Sequence, residues 1–308
     1  MKKYLAAFAL SVITAFNAAL TYRSYSDSKA PKVVVERQVE RTVERELIID
    51  VKKHDLDKQM AVELIKSTVK VETRTSFGTG VILFSGQCQD VSKDSHYYTY
   101  IVTCAHVVHD SKKVQVRQFS YLDNREIVDE ISSRGTVLLT DESRDLAIIE
   151  MKSNRKIGRA VSMVTKEDYQ KMVVDDPIFA VGCPLGYPPY ITRGNVACFD
   201  VPDHYGTPGN HIMISAPVMF GNSGGGAYTV DGKLLGIVRL LGGSPDGHIY
   251  NSAGFIVPVW VLDSWLRASE FGFILGEKDS SIEKMHEARA QEQKTQEELE
   301  KLFKSFPH

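Results

Sequence analysis

Short runs of β-forming residues recur along most of the chain, and this pattern limits the fold more than any other feature. Between Gly78 and about Leu266, turns rich in Gly, Pro, Asn and Asp separate the runs. The predicted strands are Tyr98–Val102, Lys113–Phe119, Thr136–Leu139, Leu146–Met151, Ile178–Val181, Ile212–Ser215, Leu234–Leu240 and Gly254–Val257. Strands at such short intervals, with few helical patterns between them, predict an all-β sandwich or barrel. A helix over Val259–Ser269 is the last predicted element of this region.

The N-terminal residues have the pattern of a segment that enters a membrane. Lys2 and Lys3 precede an uncharged, largely apolar run that continues to Leu20. The run is short for a membrane span and long for the apolar part of a signal peptide. Because no clear cleavage site follows, we expect residues 1–22 to be an uncleaved anchor, with a cleaved signal peptide as the alternative. Either interpretation predicts that the rest of the chain is exported, to the periplasmic side of the membrane or beyond it.

The segments on either side of the β-rich region differ from it in composition. In residues 23–55, apolar residues recur every fourth position at Val35, Val39, Val43 and Leu47. That spacing suits a helix that self-associates, although valines equally suit an extended, solvated spacer, which we favour. Residues 273–308 are rich in Glu, Lys, Gln and Ala, which predicts a solvent-exposed helical tail.

Charge and cysteine content argue against several classes of partner. The net charge is −2 and the pI about 6.5, so the composition favours neither nucleic acid nor an anionic membrane surface as a partner. The four cysteines, none at a metal-ligand spacing, are Cys88, Cys104, Cys183 and Cys198. We expect buried free thiols, although disulfides in an oxidising compartment stay open. No metal ion or organic cofactor is expected.

A glycine-dense turn, Phe220–Gly226, holds a single serine, Ser223. Glycines on both sides of a serine allow sharp backbone turns and leave N–H groups free to face a ligand. A serine hydroxyl is a weak nucleophile unless a base takes its proton and donors stabilise the resulting oxyanion. The turn can supply the nucleophile and the donors, and a base must come from elsewhere.

Two residues that precede Ser223 in the chain can supply the base and the acid that orients it. His106 follows one predicted strand, and Asp145 immediately precedes another. Taken alone, a histidine or an aspartate in such a position is more often structural than catalytic. Together with Ser223 they occur in the order His, Asp, Ser, which is one of the known chain orders of a catalytic triad.

These motifs resemble those of trypsin-fold serine proteases, in particular protease domains of the HtrA/Deg type. The resemblance extends from about Leu64 to Leu266 and is carried by Thr103–Val108, Asp145–Ile149 and Gly221–Gly225, with weaker matches at Ala180–Gly186, Thr192–Val196, Gly236–Val238 and Gly254–Pro258. The chain departs from the family after Ser223-Gly224-Gly225, where Gly226-Ala227-Tyr228 follows and proline is usual in place of Gly226. Only about forty residues follow the last predicted helix, too few for a PDZ domain, so we expect none.

The resemblance implies a protease domain over residues 56–272, built as two packed six-stranded β-barrels. It implies that Ser223 attacks the peptide carbonyl, that His106 takes the serine proton, and that Asp145 orients the imidazole. The backbone N–H groups of Gly221 and Ser223 would bind the oxyanion. The resemblance suggests a homotrimer, and it implies protein or peptide substrates.

The same resemblance implies where a substrate binds. Arg239, Leu240 and Leu241 would pair with an extended substrate as an added strand. Val218 and Phe220 would line the pocket for the residue before the cut. Because this segment contains no acidic residue, we expect a small or medium apolar residue there rather than Arg or Lys.

Two alternatives to an active protease stay open. The first is a protease-fold binding or chaperone-like module whose triad is latent or not assembled. The second is an assembly protein in which the stalk and tail drive oligomerisation. Labelling with a fluorophosphonate separates an enzyme from both.

Overall fold

The computed structural model describes residues 59–89, 95–109, 111–122, 126–202, 211–243 and 249–305. The predicted anchor and stalk, residues 1–55, lie outside these ranges, which fall within one compact unit, Asp57–His308. In this described part, no helix is both long and apolar enough to cross a membrane.

The first six strands close into an antiparallel barrel. They are β1 (Thr68–Glu72), β2 (Phe77–Gln89), β3 (Ser95–Thr103), β4 (Lys113–Leu122), β5 (Glu126–Asp141) and β6 (Leu146–Ser153). Their order around the barrel is β1-β2-β3-β6-β5-β4. A helical segment, residues 59–66, precedes β1, and a short helix α1 (Ala105–Val108) follows β3.

The next six strands close into a second barrel. They are β7 (Pro177–Gly182), β8 (Tyr190–Val201), β9 (His211–Ile214), β10 (Gly226–Thr229), β11 (Leu234–Gly243) and β12 (Ile249–Pro258), in the order β10-β11-β12-β9-β8-β7. Outside the strands lie α2 (Lys166–Gln170), α3 (Val259–Ala268), α4 (Ile282–Ser305) and the 3₁₀ turns Pro184–Gly186 and Gly272–Leu275. The prediction of two six-stranded barrels is confirmed.

Side chains along the strands point alternately into and out of each barrel, and those that point inward are mostly branched aliphatic residues. In the first barrel, Val69 and Val71 of β1 are fully buried, and so is Ile149 of β6. In the second barrel, Ile212 and Ile214 of β9 are fully buried in the same way. β-Branched side chains are stiff and pack well on a pleated surface, which explains their concentration in both cores.

The C-terminal helix is confirmed, but the prediction that all of it is exposed to solvent is wrong. Ile282 and Met285, three residues apart on one face of α4, are buried in the core cluster that includes the first barrel. His286 Nε2 lies 2.6 Å from Glu150 Oε2, and Tyr100 donates its hydroxyl to the same oxygen at 2.8 Å. The first two turns of α4 therefore belong to the folded domain.

The cysteines agree only in part with expectation. Cys104 and Cys183 are buried free thiols, whereas Cys198 on β8 is free and exposed. The Cys88 side chain is outside the described part of the molecule.

Candidate active site

His106 and Asp145 meet at one edge of the first barrel because their strands are neighbours. β3 pairs with β6 in antiparallel register, with Thr103 opposite Ala147, so the end of β3 adjoins the start of β6. The distance between His106 Nδ1 and Asp145 Oδ2 is 2.8 Å, and the His106 backbone N–H donates to Asp145 Oδ1 at 2.9 Å. The carboxylate thus fixes both the ring and the main chain of His106. Asp145 has φ of +54°, a left-handed conformation that aspartate tolerates better than most residues.

The environment of Asp145 keeps its carboxylate ionised. Burial raises its pKa, but the hydrogen bonds and charge of His106, together with the charge of Arg239, more than offset this effect and lower the pKa below its ordinary value. An ionised carboxylate holds the proton of the imidazole on Nδ1, which leaves Nε2 able to accept a proton.

The turn around Ser223 requires glycine at two positions. Gly221 has φ of +96° and Gly224 has φ of +84°. A Cβ at Gly224 would lie 2.1 Å from the Thr79 carbonyl oxygen, and one at Gly221 would lie 2.5 Å from the Cys183 carbonyl oxygen. Both the backbone conformation and the close approach of neighbouring main chain therefore exclude a side chain.

The peptide group between Phe220 and Gly221 has a fixed orientation. The Phe220 carbonyl accepts a hydrogen bond from Leu185 N–H at 2.7 Å. Because a trans peptide is planar, the N–H of Gly221 points to the opposite side, away from Leu185. Among the hydrogen bonds of the described residues, none has the N–H of Gly221 or Ser223 as its donor. Both N–H groups are therefore without an acceptor among the described residues.

Thr79 of β2 joins the first barrel to the serine turn of the second. Its hydroxyl donates to the Gly221 carbonyl at 2.6 Å and accepts from Cys183 N–H at 2.8 Å. Its backbone N–H donates to the Ser223 carbonyl at 2.8 Å. This residue is not among those predicted from the sequence, although a threonine between two glycines, Gly78 and Gly80, in an apolar strand is a usable signal.

Arg239 of β11 contacts two of the three predicted catalytic residues. Its carbonyl accepts a long hydrogen bond from Ser223 Oγ at 3.4 Å, and its Nε donates to Asp145 Oδ2 at 3.2 Å. The side chains of Arg239 and Asp145 are 9% and 8% exposed. His211 Nε2 lies 3.0 Å from Arg239 Nη1 and must accept, because a guanidinium can only donate. In the described part of the chain, Ser223 Oγ makes no hydrogen bond with His106.

The other predicted substrate-binding residues occupy different environments. Val218 is fully buried, while Phe220 is 61% exposed and so does not line a closed pocket. The side chain of Arg239 points at Asp145 rather than at an open substrate face. Leu240 and Leu241 belong to β11, and their side chains are outside the described set.

One group of potential metal ligands lies at this site within the described residues. The ligand atoms of Cys104, His106 and Asp145 lie within 4.8 Å of one another. The Cys104 thiol donates to the Val238 carbonyl at 3.3 Å, and burial together with the charge of Asp145 raises its pKa well above the ordinary range. A protonated thiol is a poor metal ligand, so this arrangement favours a structural cysteine.

Comparisons with known proteins bear on the family and the fold of this chain. Residues 78–237, just over half of the chain, match the family described as a trypsin-like peptidase domain. Two proteins described as "Serine protease HtrA-like", from Staphylococcus aureus strains USA300 and NCTC 8325, are 28% identical over 225 residues, which cover 68% of this chain and 27% of each relative. The chain therefore spans only about a quarter of the length of these relatives.

A solved structure provides a further comparison for the fold. The HtrA-type protease AlgW, solved with a tripeptide, superposes with a TM-score of 0.54 and 19% sequence identity. The match covers 69% of this chain and 62% of the other. At this identity the likeness supports the two-barrel fold alone.

Proposed function

Because the chain belongs to the family of trypsin-like peptidase domains, we propose that it is a serine endopeptidase acting on protein substrates. In this proposal Ser223 is the nucleophile, His106 the general base and Asp145 the residue that orients it. The observation that carries the proposal is the pair of hydrogen bonds from His106 to Asp145. Arg239 connects this pair to the glycine turn, because its side chain donates to Asp145 and its carbonyl accepts from Ser223.

The first half of the reaction forms an acyl-enzyme. As Ser223 Oγ attacks the scissile carbonyl, its proton passes to His106 Nε2, since Nδ1 is engaged with Asp145. The imidazolium then donates this proton to the leaving amine, and the peptide bond breaks. A water molecule, deprotonated by the same imidazole, hydrolyses the ester and restores the Ser223 hydroxyl.

The N–H groups of Gly221 and Ser223 would stabilise each tetrahedral oxyanion. The hydrogen bond from Leu185 to the Phe220 carbonyl supports this role, because it directs the Gly221 N–H away from Leu185, and no acceptor among the described residues takes up that N–H. Loss of one such donor costs roughly 3–4 kcal/mol of transition-state stabilisation in comparable enzymes.

The substrate would bind as an extended strand beside β11, with its residue before the cut near Val218. Val218 is apolar and fully buried, and Pro217 and Met219 beside it carry no charge. Surroundings of this kind favour a small or medium apolar side chain, because they offer no partner for a cation. We propose Val, Ala or a residue of similar size at this position.

One observation favours a latent resting state of this enzyme. The Ser223 hydroxyl is directed at the Arg239 carbonyl and is not hydrogen-bonded to His106 within the described residues. Catalytic hydrogen bonds are often long or misaligned without substrate and tighten in the Michaelis complex. The alternative is a binding or chaperone-like module in which this hydrogen bond never forms.

The decisive experiment is labelling with a fluorophosphonate, which reacts only with an activated serine. We expect the unaltered protein to be labelled, and Ser223→Ala and His106→Ala to abolish labelling. Ser85→Ala provides the matched control, because Ser85 lies on β2 and bonds only to Thr99 among the described hydrogen bonds. Absence of labelling in the folded, unaltered protein, with and without peptide substrates, would contradict the proposal.

We also propose that the enzyme acts outside the cytoplasm, attached to a membrane. The support is the sequence of residues 2–20 alone, two lysines followed by an uncharged apolar run. Exposure of the domain to added protease in intact and in permeabilised cells tests this proposal. Digestion only after permeabilisation of the inner membrane would contradict it.

A further inference from the structure

Large apolar side chains surround one end of the serine turn and face solvent. Phe77 is 42% exposed, Leu185 58% and Phe220 61%, and we name these three residues the apolar rim. The triad chemistry uses none of their side chains. Exposed apolar side chains that cluster beside a reactive group mark a binding surface more often than an accident of folding.

The three residues are contiguous. A Cβ on Gly221 would lie 3.1 Å from the Phe77 ring, so this ring packs directly against the serine turn. The Leu185 N–H donates to the Phe220 carbonyl at 2.7 Å, which places these two residues side by side. The apolar rim therefore brings together the start of β2, the turn after β7 and the start of the serine turn.

Leu185 is held in an unfavourable conformation. Its φ of +53° and ψ of 21° lie in the left-handed region, which costs free energy for a residue with a Cβ. Exposure of the same side chain gains nothing for stability. A strained backbone that presents an apolar side chain to solvent beside a reactive serine favours a role in binding.

The position of the rim relative to Ser223 identifies what it binds. Ser223 lies between two strands, because its hydroxyl contacts the Arg239 carbonyl of β11 and its carbonyl accepts from Thr79 N–H of β2. We call the part of a substrate before the scissile bond its acyl half and the part after it its leaving half. If the acyl half pairs with β11, the leaving half must pass on the β2 side. The apolar rim lies on that side, since Phe77 is the first residue of β2.

We propose that the apolar rim binds apolar side chains in the first two substrate positions after the scissile bond. This inference rests on the proposed endopeptidase function and adds a selectivity for the leaving half of the substrate. It requires that the enzyme distinguish substrates that are identical up to the cut.

Two quenched fluorescent peptides test the proposal. They share one acyl half ending in valine and carry either Leu-Leu or Ser-Ser after the cut. We expect kcat/KM to be roughly tenfold higher for the Leu-Leu peptide, the discrimination typical of apolar contacts. The ratio of the two values is the readout, because it does not depend on the fraction of active enzyme.

Two variants locate the selectivity. Leu185→Gly removes the side chain at a position whose φ suits glycine, and Phe220→Ser removes the neighbouring ring. We expect each to reduce the ratio to about threefold or less. Val174→Ser is the matched control, because Val174 is as exposed as Leu185. Val174 lies before the start of β7, whereas it is the other end of β7, at Gly182, that contacts the serine turn.

The outcomes separate this inference from the proposed function. Cleavage of both peptides at equal efficiency, or a preference that survives both variants, would overturn the role of the apolar rim and leave the endopeptidase standing. A protein that neither cleaves the peptides nor reacts with a fluorophosphonate is not an endopeptidase, and the inference then fails with the proposed function.

Discussion

Arg239 Nε lies 3.2 Å from Asp145 Oδ2, so a guanidinium of the second barrel holds a carboxylate of the first. Both side chains are nearly buried, and Asp145 also accepts two hydrogen bonds from His106. A buried carboxylate with three donors has little freedom to rotate. The relative position of the two barrels therefore helps to determine how the carboxylate of Asp145, and with it the imidazole of His106, is oriented.

Replacement of Arg239 by methionine should lower turnover without disturbing the serine turn. Methionine keeps the aliphatic stem but donates nothing to Asp145, whereas the carbonyl that contacts Ser223 belongs to the backbone and is retained. We expect kcat to fall by about tenfold to a hundredfold, the scale of a small misplacement of a catalytic group, with KM within about threefold. Steady-state hydrolysis of a quenched peptide measures both.

The matched control for this change is Arg267→Met on α3. Arg267 also pairs with carboxylates, Asp263 and Glu277, but on an exposed surface, where ion pairs contribute little. Its turnover should equal that of the unaltered protein. If Arg239→Met were as active as this control, the contact with Asp145 would have no part in catalysis.

Arg239 should also affect how the domain tolerates acid. The pKa of Asp145 is lowered in the folded state, so its contribution to stability is present above the ordinary pKa of about 3.9 and is lost as the pH falls through the lowered value. Arg239→Met removes one cause of the lowering. Acid unfolding followed by circular dichroism should therefore begin at a higher pH in this variant than in Arg267→Met, and coincident curves would contradict the expectation.

The Thr79 hydroxyl should be needed for the shape of the oxyanion turn. Thr79→Val is nearly isosteric but leaves the Gly221 carbonyl and the Cys183 N–H without their partner in a buried site. Each unsatisfied group costs about 1–3 kcal/mol, and a displaced Gly221 N–H should slow fluorophosphonate labelling by at least about tenfold. Thr79→Ser, which retains the hydroxyl, should recover most of the labelling rate.

A second threonine separates stability from catalysis. Thr68 is buried and donates its hydroxyl to the Leu64 carbonyl at 2.8 Å, and no hydrogen bond of the described residues joins it to Phe220–Gly226. Thr68→Val should destabilise the domain in urea by about 1–2 kcal/mol while labelling proceeds at the normal rate. Equal labelling rates for Thr79→Val and Thr68→Val would show that Thr79 has only a structural role.

The contrast between His106 and Arg239 shows what the sequence can predict. His106, Asp145 and Ser223 each stand in a local pattern of strand ends or glycines, so the sequence alone is enough to propose them as a site, and the structure places His106 and Asp145 in contact. The contact between Arg239 and Asp145 joins residues 94 positions apart, and that between Thr79 and Gly221 joins residues 142 apart. Such pairings depend on how two closed barrels pack together, which no local pattern encodes.

The tail illustrates the same limit for packing. The sequence correctly predicts a helix, because strong helix formers dominate this segment. Apolar residues such as Ile282 and Met285 are too sparse in it to indicate a buried face. Whether they are buried depends on the matching surface of the first barrel, where Glu150 and Tyr100 meet His286.

Met285 should contribute substantially to the stability of the whole domain. It is 1% exposed and belongs to the same core cluster as the first barrel, so Met285→Ala should lower the free energy of unfolding by about 2–4 kcal/mol. Leu299→Ala is the matched control, because it also replaces a large apolar residue of α4 with alanine. Leu299 is 49% exposed, so this change should lower the free energy of unfolding by no more than about 0.5 kcal/mol. Urea denaturation followed by tryptophan fluorescence measures both, because Trp265 lies in the same buried cluster. Equal midpoints for the two variants would mean that α4 unfolds independently of the barrels. The large difference expected here would mean that its first two turns fold with them.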